Sequence, residues 1–227
     1  MHGAAPDGML PPASRHDRRD RPQTMPTVNP NDVLFTTPTL NDALPALGSS
    51  APAEGCLRMH EDDWRQFEFV HASFDREMAD ELAAIDKIWK EHAVPLGDDM
   101  TAFRTLHVRR AIPQPLDVPM TVAAFEAMFG GRSAPITFHG YDRVLRDVHA
   151  IPLDGDVVVY AAIQADRILA LGLEASGRVS FNADVADGLE RFVTENDLRL
   201  VHWRSRTLFP SPDAAMQYLR GSKGRAT

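Results

Sequence analysis

The chain has 227 residues, a net charge of −8, nine histidines and one cysteine. A single cysteine excludes an intrachain disulfide and a cysteine-based zinc cluster, and the acidic balance argues against attraction of the whole molecule to nucleic acid or to an anionic membrane. No apolar run reaches the length of a transmembrane helix, and the opening MHGAAPDGMLPPASRHDRRD lacks the charged-then-apolar order of a secretory signal. A cytoplasmic protein without a cofactor or metal site is expected.

Residues 1–56 read as a disordered, Pro-rich leader. Nine of the seventeen prolines fall before Cys56, with Phe35 the only Phe, Tyr or Trp among them. Proline removes a backbone donor and restricts φ, and a segment with so few large apolar side chains cannot offset an ordering cost of about 1–2 kcal/mol per residue. Arg15, Arg18, Arg19 and Arg21 are interleaved with Asp17 and Asp20 and read as a solvated tail. Met25 and Met59 are candidate internal starts. Folding is expected to begin at Leu57 and to give one α+β domain over 57–221, with 222–227 frayed.

From Trp64, WRQFEFV alternates Phe67 and Phe69 with Gln66 and Glu68, the pattern of a strand buried on one face. The next segment places Phe74, Met78, Leu82, Ile85 and Trp89 at helical spacing, with Ser73 as N-cap. FRTLHVRRAI reads as a second strand with Leu106, Val108 and Ile112 on one face. Pro113, Pro115 and Pro119 mark a loop before a short helix capped by Thr121 and stopped at Gly130.

APITF, VLRDVHAI, DVVVYAAI and ILALGLE then form an antiparallel meander, with Asp154-Gly155 and Ser176-Gly177 as turn signals and RVSF as a short strand. A third helix carries Val185, Leu189, Phe192 and Val193. It starts near Asn182 and ends at Asn196 or Asp197. LRLVHWRSRTLF reads as one strand, and Ser211-Pro212 opens a last helix. The expected fold is α+β, a mostly antiparallel sheet with about four helices packed on one face.

No phosphate-binding glycine loop, nucleophile elbow or H-E-x-x-H pair is present. The candidate chemistry is distributed. His107, His139, His149 and His202 lie in or beside strands, and His139 sits where a strand meets the Gly140 turn, with Tyr141, Asp142 and Arg143 following. Under an enzyme reading, a hydrolase or phosphate-handling enzyme, His139 and Asp142 are the acid–base pair, with His107 or His202 beside them. Arg104, Arg109 and Arg110 in one strand, and Arg204 and Arg206 pointing the same way in another, are suited to holding phosphate or carboxylate. Nucleic-acid binding through these arginines is the reading least favoured by net charge.

Glu61, Asp62 and Asp63 precede the first strand, and Glu77, Asp80 and Glu81 lie on the first helix. An acidic face of this kind orients a basic protein partner. The preferred expectation is therefore an intracellular protein-binding module, an immunity- or antitoxin-like inhibitor or an adaptor.

Overall fold

The computed structural model describes residues 33–97, 100–110, 112, 116–153, 157–175, 179 and 181–221. In chain order the elements are β1 (Thr39–Asn41), β2 (Leu57–Met59), β3 (Phe67–His71), α1 (Asp75–His92), β4 (Ala93–Pro95), β5 (Thr101–Phe103), β6 (His107–Arg109), β7 (Val118–Pro119) and α2 (Val122–Phe129). They continue with β8 (Ala134–Phe138), β9 (Val148–Pro152), β10 (Val157–Gln164), β11 (Arg167–Ala175), α3 (Ala183–Glu195), β12 (Leu198–His202), β13 (Thr207–Phe209) and α4 (Pro212–Leu219). This is an α+β protein.

Among the described residues, nine strands form the main sheet in the order β13-β12-β3-β11-β10-β9-β8-β2, with β7 also paired to β11. The expected meander supplies β8 to β11, paired antiparallel through neighbouring strands. The sheet as a whole is mixed, not mostly antiparallel: β2 runs parallel to β8, with Met59 opposite Phe138. A separate two-stranded ladder pairs β1 parallel to β6. Parallel neighbours are joined by long connections instead of tight turns, so no local sequence signal announces them.

Helices cover both faces of the sheet, which corrects the expectation of one helical face. On one face Phe67, Phe69, Leu171, Leu173, Val159 and Leu200 pack against Phe125 and Phe129 of α2, Leu189 and Val193 of α3, and Met216 and Leu219 of α4. On the other, Val70, Val201 and Trp203 pack against Met78 and Ile85 of α1. Tyr160 and Trp64 extend that second face toward Met59, Ile136, Phe138 and Val148. Gln66 and Glu68 are consequently buried although they occupy the polar phase of an alternating strand.

The compact unit begins at Leu34, ahead of Leu57. The segment from Leu34 to Ser50 is a strap held by polar groups. Thr37 and Thr39 are buried while Leu34 and Leu44 are exposed. Phe35 bridges Phe103, Leu47 bridges Leu145, and the Trp64 indole N–H donates to the Ala43 carbonyl at 3.1 Å. Proline density blocks regular structure, but it does not prevent irregular backbone from being satisfied by a neighbouring surface. Arg15 to Arg21, Met25, both Asx/Ser-Gly turn signals, Pro113, Pro115 and the tail 222–227 lie outside the described residues.

Local capping follows the sequence at three of four helices. Thr121, Asn182 and Ser211 accept from the backbone N–H of Ala124, Val185 and Ala214, and Gly130 ends α2 in the left-handed region at φ 67°. At α1 the N-cap is Phe74, not Ser73, because the preceding 3-10 turn is capped by His71, whose Nδ1 accepts from Ser73 N. Two expected strands break. LRLVHWRSRTLF is the hairpin β12–β13, turning at Trp203–Arg206 with Arg206 at φ 59°. FRTLHVRRAI divides into β5, which pairs with β4, and β6, which pairs with β1. In RVSF, Val179 and Phe181 are buried outside any strand.

Candidate functional site

The arginines expected to share an anion site do not face one opening. Arg109 is buried, 3% exposed, beneath the strap. Its guanidinium donates to Thr39 Oγ1 at 2.9 Å and to the Arg65 carbonyl at 2.8 Å, and lies 4.9 Å from the centre of the Trp203 ring. Burial pulls its pKa down to about 10, against the opposing pull of the Glu68 carboxylate. Arg104 is exposed, and Arg110 faces Asp42 at 3.4 Å. Arg204 and Arg206 sit in the β12–β13 turn, bonded to Asp63 at 2.8 Å and Asp86 at 2.7 Å, and Arg206 also covers the Trp89 ring. Both are thus committed to acids of the same chain.

Around Arg109 the second sheet face holds a buried polar network that sequence reasoning missed. Arg65, in the left-handed region at φ 55°, donates from Nε to Glu68 Oε2 at 2.6 Å and from Nη2 to the Ile112 carbonyl at 2.8 Å. The other Glu68 oxygen accepts from Trp203 Nε1 at 2.8 Å. Tyr160 Oη accepts from Arg65 N at 2.7 Å, and burial drives the phenol pKa far up, so it stays protonated. Its ring passes over Gly172, where a Cβ would come within 2.3 Å of Cζ. Glu81, expected on a partner-binding face, is buried: its carboxylate contacts His107 Nε2 and accepts from Arg110 N. These contacts tie α1, β6, β3, β10 and the strap together. The charges are matched inside the molecule, which is the pattern of a structural network.

The histidines are dispersed. His107 is engaged with Glu81 on the α1 side. His202 lies on the opposite face, its ring edge-on to Phe67 at 4.9 Å and Nδ1 against the Ser205 hydroxyl. Burial lowers its pKa to about 4, with the Arg204 charge adding to the effect. His149 is half-buried on β9, and burial holds its pKa down. His139 is exposed at the end of β8, and Asp142, its expected acid–base partner, faces Arg143 at 3.6 Å with its side chain 93% exposed. Among the described residues no three His, Cys, Asp or Glu side chains converge as a metal site, and no helix is long and apolar enough to cross a membrane.

What the structure does bring together is the acidic segment before β3 and the loop after β8, which the sequence separates by nearly eighty residues. Parallel pairing of β2 with β8 ends at Met59 and Phe138, and His139 N extends it by donating to the Met59 carbonyl at 3.0 Å. Glu61 then meets Tyr141, whose Oη donates to Glu61 Oε2 at 2.8 Å, and this bond raises the phenol pKa. The Tyr141 ring also packs edge-on against Phe138 at 5.7 Å. His60 and His139 face each other with ring centres 6.3 Å apart. Asp62 stands 3.6 Å from His60 Nδ1 and leaves its carbonyl to Gln66 Nε2 at 2.8 Å.

The remaining acids of the expected partner face are engaged with arginines of the same chain or lie on α1. Asp63 is paired with Arg204, Asp80 lies 3.9 Å from Arg76, and Glu77 lies with Asp80 on α1. Two clefts elsewhere are lined by ordinary loop and core residues. One, of about 240 Å³, lies between Gly130-Gly131, Pro152 and Phe181. The other, of about 480 Å³, lies between His71, Asp117 and Asn196. No family model, curated protein or solved structure matches this chain.

Proposed function

We propose that the protein is a binding module for a basic partner protein, and that the end of β2 and β8 is its contact surface. The observation that carries this reading is the Tyr141–Glu61 hydrogen bond, which joins an exposed aromatic ring to an exposed carboxylate just past the end of the β2–β8 ladder. Interfaces favour such a combination: tyrosine gives a large contact area with few rotatable bonds, and rim charges steer the approach of an oppositely charged surface. Glu61, Asp62 and Asp142 supply the charge, and β2 is the last strand of its sheet. An edge strand offers backbone groups for pairing with another chain.

Charge reversal tests the reading. The variant Glu61→Lys/Asp142→Lys, with both positions exposed, is expected to keep its circular dichroism spectrum. It should lose at least about tenfold of the partner that the unaltered chain captures at low salt from a lysate of its own cells. Equal capture by both chains overturns the proposal.

A further inference from the structure

His60 and His139 are the residues that follow Met59 and Phe138, which stand opposite one another in the parallel β2–β8 ladder. Lateral neighbours in such a ladder project from the same side of the sheet, about 4.8 Å apart at the backbone. Both histidines are exposed, and their ring centres are 6.3 Å apart with planes inclined by 40°. Two imidazoles that share a tetrahedral metal through nitrogen bonds of about 2.0–2.1 Å have ring centres roughly 5 Å apart. The gap of about 1 Å between these spacings is closed by small χ rotations of the two exposed side chains.

The surroundings suit ligation. A histidine that binds metal through one ring nitrogen commonly donates the other N–H to a carboxylate. His60 Nδ1 lies 3.6 Å from Asp62 Oδ2. Nδ1 accepts from Asp62 N at 3.2 Å. Ligation at Nε2 therefore transfers the ring proton from Nε2 to Nδ1 through solvent, and Nδ1 then donates to the Asp62 carboxylate. Glu61, held by Tyr141, adds negative charge beside the pair. Imidazole nitrogen selects zinc, copper or nickel over the hard alkaline-earth cations.

We propose that His60 and His139 form a two-imidazole binding site for a divalent transition metal, with Asp62 orienting the His60 ring and water filling the remaining positions. The site stands whether or not a partner protein uses the same surface.

Titration of Zn²⁺ into the full chain at neutral pH, followed by calorimetry, tests it. One equivalent is expected to bind. His139→Asn and His60→Asn should each weaken that binding at least tenfold, while His92→Asn leaves it unchanged. Asparagine at 60 retains a side-chain acceptor for Asp62 N, so the turn survives the change. Imidazole proton resonances of both rings should shift together on addition of Zn²⁺. Absence of binding, binding unaffected by His139→Asn, or a shift in one ring alone overturns the proposal.

Discussion

On the sheet face covered by α2, α3 and α4, the contacts are made by leucine, valine, isoleucine, phenylalanine, methionine and alanine, and α3 shows its apolar stripe in the sequence. On the face covered by α1 and the strap, two apolar clusters contribute Tyr160 and Trp203 to a network of directional bonds with Arg65, Glu68 and Arg109. The first face depends on volume and area, and a different apolar side chain of similar size still fills it. The second depends on particular partners, because each buried charge must keep its counter-group or its hydrogen bonds. One sheet therefore carries a tolerant side and an exacting side.

A pair of volume-conserving substitutions separates the two faces most strongly. Glu68→Gln removes the charge facing Arg65 without changing size, and is expected to cost about 3–5 kcal/mol in urea unfolding. Leu189→Met, on the apolar face, should cost less than about 1.5 kcal/mol. If the leucine change proves the more damaging, the two faces do not differ as described.

A pH effect probes the apolar side. His202 is one polar group packed there, and its folded pKa of about 4 lies below the unfolded value of roughly 6.5. The unfolded chain then takes up the proton first as pH falls. Stability is complete above about pH 6.5 and declines toward pH 4, by up to about 3 kcal/mol from this group. His202→Gln should flatten that part of the stability–pH profile. An unchanged slope would show that His202 is not neutralised by its packing.

A further effect concerns steric fit on the exacting side. Gly172→Ala drives a methyl group into the Tyr160 ring, and should cost about 1–3 kcal/mol. Tyr160→Leu combined with Gly172→Ala is expected to cost less than the sum of the two single changes, since the clash is then removed. Additive losses, measured by the same unfolding midpoints, would place the strain elsewhere.

Much of this architecture is legible in the residues alone. The period of α1, the caps Thr121, Asn182 and Ser211, the Gly130 stop and the β8–β11 meander all arise from residues within a few positions of each other. Of the candidate surface, Glu61, Asp62, His139 and Asp142 each stand out in the sequence, but for two different functions. Their common location is hidden there because a parallel pairing of β2 with β8 leaves no turn motif. His60 carries no signal either, as its neighbour His139 is distant in the chain.

The strap is hidden in the sequence for a related reason. Thr37 and Thr39 look like solvent-facing residues until the fold buries them, with the Thr37 hydroxyl donating to the Thr39 carbonyl and Arg109 and Gln66 donating to Thr39. Arg206 and Glu81 read as free charges until the β12–β13 turn and α1 close upon Asp86 and His107.

The helices, the central hairpins and the apolar face follow from the amino-acid order, because periodicity and capping act over one or two turns of chain. The second face, the parallel edges and the meeting of Glu61 with Tyr141 arise only in the folded chain. Those depend on which distant segments lie side by side. Burial then changes the energetic meaning of a charged residue from solvated surface to required partner.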